Sequence, residues 1–199
     1  MSEHIVDAGR RKMLTVSASV VGAVGAAVAV VPFLSTMSPS AKALASGAPV
    51  EVDVSKLEPG QKIQVEWRRK PVWIVRRSDE MVSNLSKTEA RVRDPNSDEP
   101  GQQPEFARNQ TRSLKPDVLV LVGICTHLGC SPTFRPELAP EDLGPDWVGG
   151  FYCPCHGSFF DLAGRVYKNV PANKNLEVPP YKYISDNLIL VGELDEGAA

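Results

Sequence analysis

The sequence predicts an all-β domain carried on a single N-terminal transmembrane helix. Three observations predict it. An uncharged apolar run stands near the N-terminus, from Leu14 to Leu34. From Val50 onward the apolar residues alternate or cluster in short runs separated by turn residues. Finally, two stretches, Cys125-Thr126-His127-Leu128-Gly129-Cys130 and Cys153-Pro154-Cys155-His156-Gly157-Ser158, hold all four cysteines and two of the three histidines, so the β region is built to present a site.

The N-terminus carries Arg10, Arg11 and Lys12 immediately before the apolar run. About 21 residues at helical rise cover a hydrocarbon core of roughly 30 Å. A cleavable signal peptide is the competing reading, encouraged by the small-x-small sequence Ala41-Lys42-Ala43. The run exceeds the length of about 7–15 residues usual for a signal core, which favours a retained anchor. The basic cluster places residues 1–13 in the cytoplasm by the positive-inside rule, so the rest of the chain is exported. Arg10-Arg11 also partly matches a twin-arginine export signal, the route for a domain that folds around a cofactor before it crosses the membrane. His4 falls in the cytoplasmic tail, away from any site.

Residues 35–49 are small, polar and alanine-rich, without a period that would pack a helix. They read as a linker, passive or acting as a hinge. Gln61 to Trp67 alternates with period two, Lys70 to Arg77 forms a second strand, and Arg68-Arg69 supplies a tight hairpin connection. Trp67 and Trp73 belong to the sheet core rather than to an electron relay. A short helix begins at Ser78-Asp79-Glu80. Residues 87–116 are polar and proline-bearing and predict a solvated surface loop.

Asp117 to Gly123 is a continuous apolar run that fits a buried strand leading into the first cysteine stretch. Residues 131–146 carry several prolines and predict an irregular insertion. Trp147 to Tyr152 is a strand feeding the second stretch. Further strands are expected at 164–167, 176–178, 181–184 and 188–191, with Asp186-Asn187 as a hairpin turn.

Formal charge is close to neutral, with 22 basic and 24 acidic residues, so composition makes no electrostatic case for nucleic acid. Four cysteines allow two disulfides, a four-thiolate metal site, or a mixture, and the histidine inside each stretch favours the mixture. Cys-x-His and Cys-x-x-His ligands suit zinc, the commoner occupant of such patterns, or an iron–sulfur cluster with one imidazole-bound iron. Gly129 and Gly157 let backbone amides approach sulfur closely.

Taken together, the two hexapeptides, the anchor, the tether and Asn175-Leu176-Glu177-Val178-Pro179 resemble, in order, the Rieske iron–sulfur subunit of ubiquinol–cytochrome c reductase, the cytochrome bc complex. The resemblance spans essentially the whole chain. It implies a Rieske domain of stacked antiparallel sheets at residues 50–199, with a cluster-binding subdomain at about 123–175. It implies one 2Fe-2S cluster, with Cys125 and Cys153 on the inner iron and His127 and His156 on the outer iron. A disulfide between Cys130 and Cys155, which occupy equivalent places in the two loops, is also implied and needs an oxidising compartment.

The resemblance implies that Ser158 hydrogen-bonds a cluster sulfide, and that Leu128 and Pro171 contact the quinone site. Implied partners are a cytochrome b subunit, a c-type cytochrome subunit, quinol and membrane lipid, in a dimeric complex of the bacterial inner membrane with the domain in the periplasm. Quinol would hydrogen-bond His156 by preference, otherwise His127, and the domain would swing on the 35–49 hinge to reach the cytochrome. The sequence departs from the family in two places. Phe160 stands where many members carry a tyrosine bonded to a ligand thiolate, which predicts a lower potential and opens the choice between ubiquinol and a lower-potential quinol. Val170 and Asn173 replace glycine and proline in the loop that Pro171 is expected to lay over the cluster. The competing readings are a free Rieske-type ferredoxin or oxygenase component, and a zinc-stabilised exported binding module.

Overall fold

The computed structural model describes residues 7–41, 43 and 47–195; His4, Lys42 of the candidate processing sequence and residues 44–46 of the hinge lie outside the described residues. The chain divides into two compact units, residues 1–45 and 46–199.

In the first unit, helix α1 spans Ala8–Thr36. It starts earlier than the apolar run because Asp7 caps it: the Asp7 carboxylate accepts the amides of Gly9 at 3.0 Å and Arg10 at 3.1 Å. The three basic residues therefore occupy the first turns of the helix. None of its residues is buried within the protein, and its length and composition suit a membrane span. Pro32 sits near its C-terminal end, where one missing amide costs little. Beyond it, Ser40 accepts the Ala43 amide at 3.2 Å, and Ala41 and Ala43 are helical, so part of the linker is locally ordered.

The second unit contains nine strands among the described residues, arranged as three antiparallel sheets of three. β1 (Val50–Asp53), β9 (Leu188–Val191) and β8 (Tyr181–Ser185) form one. The second consists of β2 (Lys62–Trp67), β3 (Lys70–Arg76) and β4 (Val118–Val122). The third is built from β5 (Thr133–Arg135), β6 (Gly150–Cys153) and β7 (Ser158–Asp161).

The β2–β3 hairpin pairs Trp67 with Lys70, leaving Arg68 and Arg69 as a two-residue turn. Both have positive φ (50° and 61°), the backbone that a tight hairpin with right-handed strand twist requires. β4 is buried along its whole length, which explains why it reads as an unbroken apolar run. Trp73 on β3 stacks on Phe151 of β6 with ring centroids 5.4 Å apart, joining the second and third sheets through the core. The Trp73 ring also lies against Gly123, where a Cβ would come within 2.2 Å of it.

Four expectations are corrected. Residues 87–116 run largely over the surface as expected, but they are not simply solvated: Val92, Ser97, Ala107 and Arg112 have no exposed surface. The segment packs through polar groups, which leave no apolar period to read. The insertion at 131–146 contributes β5, whose three residues are too few to alternate visibly. Strands at 164–167 and 176–178 are absent. Val166 and Tyr167 make isolated bridges to Phe160 and Val92, and the amides of Leu176 and Val178 bond the carbonyls of Gly164 and Gln102 one at a time.

Candidate metal centre

Each cysteine stretch folds by the same local rule. In the first, the Gly129 amide donates to the Cys125 carbonyl at 3.1 Å, and in the second the Gly157 amide donates to the Cys153 carbonyl at 3.0 Å. Both glycines are left-handed, φ 85° and 71°, which permits the chain to fold back so tightly. The first loop follows β4 and closes through a Cys125 amide to Cys130 carbonyl bond of 2.7 Å. The second is the β6–β7 hairpin, closed by the pairing of Cys153 with Ser158.

A disulfide joins Cys130 to Cys155 with Cα atoms 6.7 Å apart, so the loops are tied to each other. Cys153 Sγ lies within 4.8 Å of both bridged sulfurs, but those two have no thiolate left to offer a metal. Cys125 and Cys153 remain as free, buried thiols. The His127 and His156 rings stand perpendicular with centroids 4.7 Å apart. His127 is half-buried and His156 exposed.

Two features suit this site to a metal group. Nδ1 of His127 is buried and has no hydrogen-bond partner among the described residues, a costly state for a nitrogen lone pair or N–H unless a ligand meets it. Burial pushes the Cys125 thiol up, and the adjacent Cys153 adds to that, while the His127 amide and the Ser158 hydroxyl face the same sulfur and oppose the shift. Donors already aimed at a sulfur are the arrangement that stabilises thiolate ligation.

Ser158 has no exposed surface and also accepts the Ala172 amide at 3.0 Å, which fixes the third loop to the site. That loop presents Pro171 at the surface. Leu128, between two candidate ligands, is 72% exposed. Phe160 shares the face of β7 with Ser158 and is wholly buried, with its ring in the core and no polar atom to offer. A tie not foreseen from sequence is Thr126, whose hydroxyl donates to the Lys174 carbonyl at 2.6 Å and so links the first loop to the third. Its only sequence signal is a short hydroxyl side chain placed between two metal-ligand residue types.

The chain is similar to known proteins over its whole length. Residues 48–182 match the Rieske [2Fe-2S] domain family, and residues 1–40 match the family described as ubiquitinol-cytochrome C reductase Fe-S subunit TAT signal. The ubiquinol-cytochrome c reductase iron-sulfur subunit of Allochromatium vinosum is 59% identical over 199 residues, covering 100% of this chain and 95% of that protein. The subunit of the same description from Bradyrhizobium diazoefficiens is 41% identical, covering 92% of this chain and 94% of that one. A solved chain of a hyperthermophilic respiratory Complex III aligns at 28% identity with a TM-score of 0.49, covering 88% of this chain and 98% of that chain. With a Rieske domain over two thirds of its length and this identity to full-length subunits, the chain belongs to the family of ubiquinol–cytochrome c reductase Rieske iron–sulfur subunits.

Proposed function

We propose that this chain is the quinol-oxidising iron–sulfur arm of a respiratory quinol–cytochrome c oxidoreductase. The observation that carries the reading is that two free thiols and a pair of facing imidazoles belong to two loops tied by a disulfide. In this reading Cys125 and Cys153 would hold one iron of a 2Fe-2S cluster through thiolates, and His127 and His156 would hold the other through imidazoles. When bound, the cluster supplies one-electron redox chemistry at a potential raised by its neutral imidazole ligands.

The chain's own residues do the rest. Ser158 directs its hydroxyl at sulfur and anchors the third loop. His156, the more exposed of the pair, meets the quinol and takes up a proton on the ring nitrogen left free; His127 is the second candidate. Leu128 and Pro171, both exposed, give the tip an apolar rim suited to a quinone pocket.

Residues 1–13 form the cytoplasmic N-terminus with its twin-arginine-like signal, residues 14–34 cross the lipid of the bacterial inner membrane, and residues 35–49 are the hinge. The domain at 50–199, with its cluster-binding subdomain at about 123–175, lies in the periplasm. There it moves between the cytochrome b and c-type cytochrome subunits of a dimeric complex. Arg10, Arg11 and Lys12 at the start of α1 support this orientation.

The test is to purify the full chain from its membrane, reduce it with dithionite and record its electron paramagnetic resonance spectrum. The expected result is a signal with an average g below the free-electron value and copurification with a b-type cytochrome. A diamagnetic, zinc-loaded protein overturns the reading. The same signal in a chain that leaves the membrane without any cytochrome makes it a free Rieske-type carrier instead.

A further inference from the structure

Behind the site, three guanidiniums lie in the core with one carboxylate: Arg77 is 2% exposed, and Arg112, Arg165 and Asp161 have no exposed surface. Arg165 and Asp161 neutralise each other through a 2.8 Å ion pair. Asp161 is further occupied by the Thr88 hydroxyl and by the amides of Ala163 and Arg165.

Arg77 and Arg112 are bonded only to neutral groups. Arg77 donates to the carbonyls of Thr111 and Leu162, each at 2.9 Å, and to the Ser113 hydroxyl at 2.8 Å. Arg112 donates to the carbonyls of Ala163 (3.2 Å), Gly164 and Gln102 (both 3.4 Å) and to the Gln103 side chain at 2.9 Å. The Nε of each has no partner among the described residues. The nearest further carboxylates, half-buried Asp94 and Asp117, are engaged elsewhere: Asp94 accepts the amides of Asp98 and Glu99, and Asp117 pairs with Arg76. Burial pushes both arginines down to about 10, so each is still a cation at neutral pH.

A fold that needed only to hold the turn at 162–164 could do so with neutral donors, which cost far less to desolvate than a cation. Three of the carbonyls that these arginines grip, those of Leu162, Ala163 and Gly164, follow directly on β7, whose first residue is Ser158. At about 3.4 Å per strand residue, the three steps of β7 set the turn that these arginines grip roughly 10 Å along the chain from that serine. An added electron is an added negative charge, and an unneutralised cation in a weakly screened interior favours it.

We infer that Arg77 and Arg112 are electrostatic tuning residues that raise the midpoint potential of the site, opposing the loss of the thiolate donor at Phe160. The inference rests on the cluster reading given under the proposed function. Coulomb's law with an effective dielectric of about 20 makes one charge at about 12 Å worth roughly tenfold in the equilibrium constant for reduction. For one electron that is ~59 mV.

The experiment is a redox titration, followed by electron paramagnetic resonance, of the membrane-purified parent and of Arg77→Met, Arg77→Lys, Arg112→Met and Arg112→Lys. Each methionine variant should lower the reduction constant by about tenfold, and each lysine variant, which keeps the charge and loses the planar fork, should stay within about twofold of the parent. The shift should persist at high salt, because buried charges are poorly screened. Equal shifts in the methionine and lysine variants, or no shift in either, overturn the inference. So does loss of the signal from both methionine variants, since the arginines would then serve only to hold the fold. Absence of the signal from the parent is a different failure, that of the cluster reading itself.

Discussion

Ser158 and Phe160 sit two residues apart on one face of β7, and they divide the chemistry of that face. Ser158 presents a hydroxyl to the Cys125 sulfur, while Phe160 buries an aromatic ring, without a donor, in the core. A hydrogen bond to a ligand thiolate withdraws charge from it and favours the reduced state. Phe160→Tyr should therefore raise the midpoint potential by the equivalent of about 1–1.5 kcal/mol, the worth of a modest hydrogen bond. An unchanged potential in a folded, cluster-bearing variant would show that the new hydroxyl does not reach the sulfur.

At this scale much is legible in the sequence, because metal-ligand residue types at fixed spacing reduce to a few chemistries, and the structure sets Cys125 beside Cys153 and His127 beside His156 on loops that a disulfide ties together. Thr126 was missed because nothing along the chain marks Lys174, 48 positions away, as its partner.

Loops and sheets hold those residues in register. The disulfide closes the two cysteine loops on each other across a sequence separation of 25. By loop-closure entropy it contributes about 3 kcal/mol against the unfolded chain. Cys155→Ser should leave the four candidate ligands in place and make the centre more labile, measured as faster bleaching of its visible absorbance on warming. Bleaching at the parent rate would mean that hydrogen bonds such as Thr126 to Lys174 suffice to hold the loops together.

Gly123 offers a second test at the scale of elements, because β4 delivers the first loop only if its end passes beneath the Trp73 ring. Gly123→Ala should destabilise the domain by about 1–3 kcal/mol, the usual cost of overpacking, seen as a lower urea midpoint. No change in the midpoint would show that Trp73 moves aside freely. The strands with clean alternation or unbroken apolar runs, β2, β3, β4, β8 and β9, could be read from sequence. β5 and β7 could not, since three or four residues beside a ligand loop carry no resolvable period. Residues 87–116 look wholly solvated from their polarity, yet Arg112 is buried by hydrogen bonding and Val92 by an isolated bridge, a kind of packing that leaves no period in the sequence.

For the molecule as a whole, an apolar helix long enough for a bilayer and a β domain that carries every candidate ligand form separate compact units. The helix was predicted from length and charge, and the structure lengthens it at its N-terminal end, through the Asp7 cap, to include the basic residues that support its orientation. For the proposed electron transfer, two imidazoles must share the centre with two thiolates.

The most direct test is a redox titration of the reduced chain in its membrane, comparing the parent with His156→Cys. The parent should titrate as a single one-electron centre within the range of about −150 to +300 mV that imidazole ligation allows. The variant should fall well below it or lose the centre. A parent potential near the roughly −400 mV of all-thiolate clusters, or a His156→Cys variant indistinguishable from the parent, would contradict the assignment.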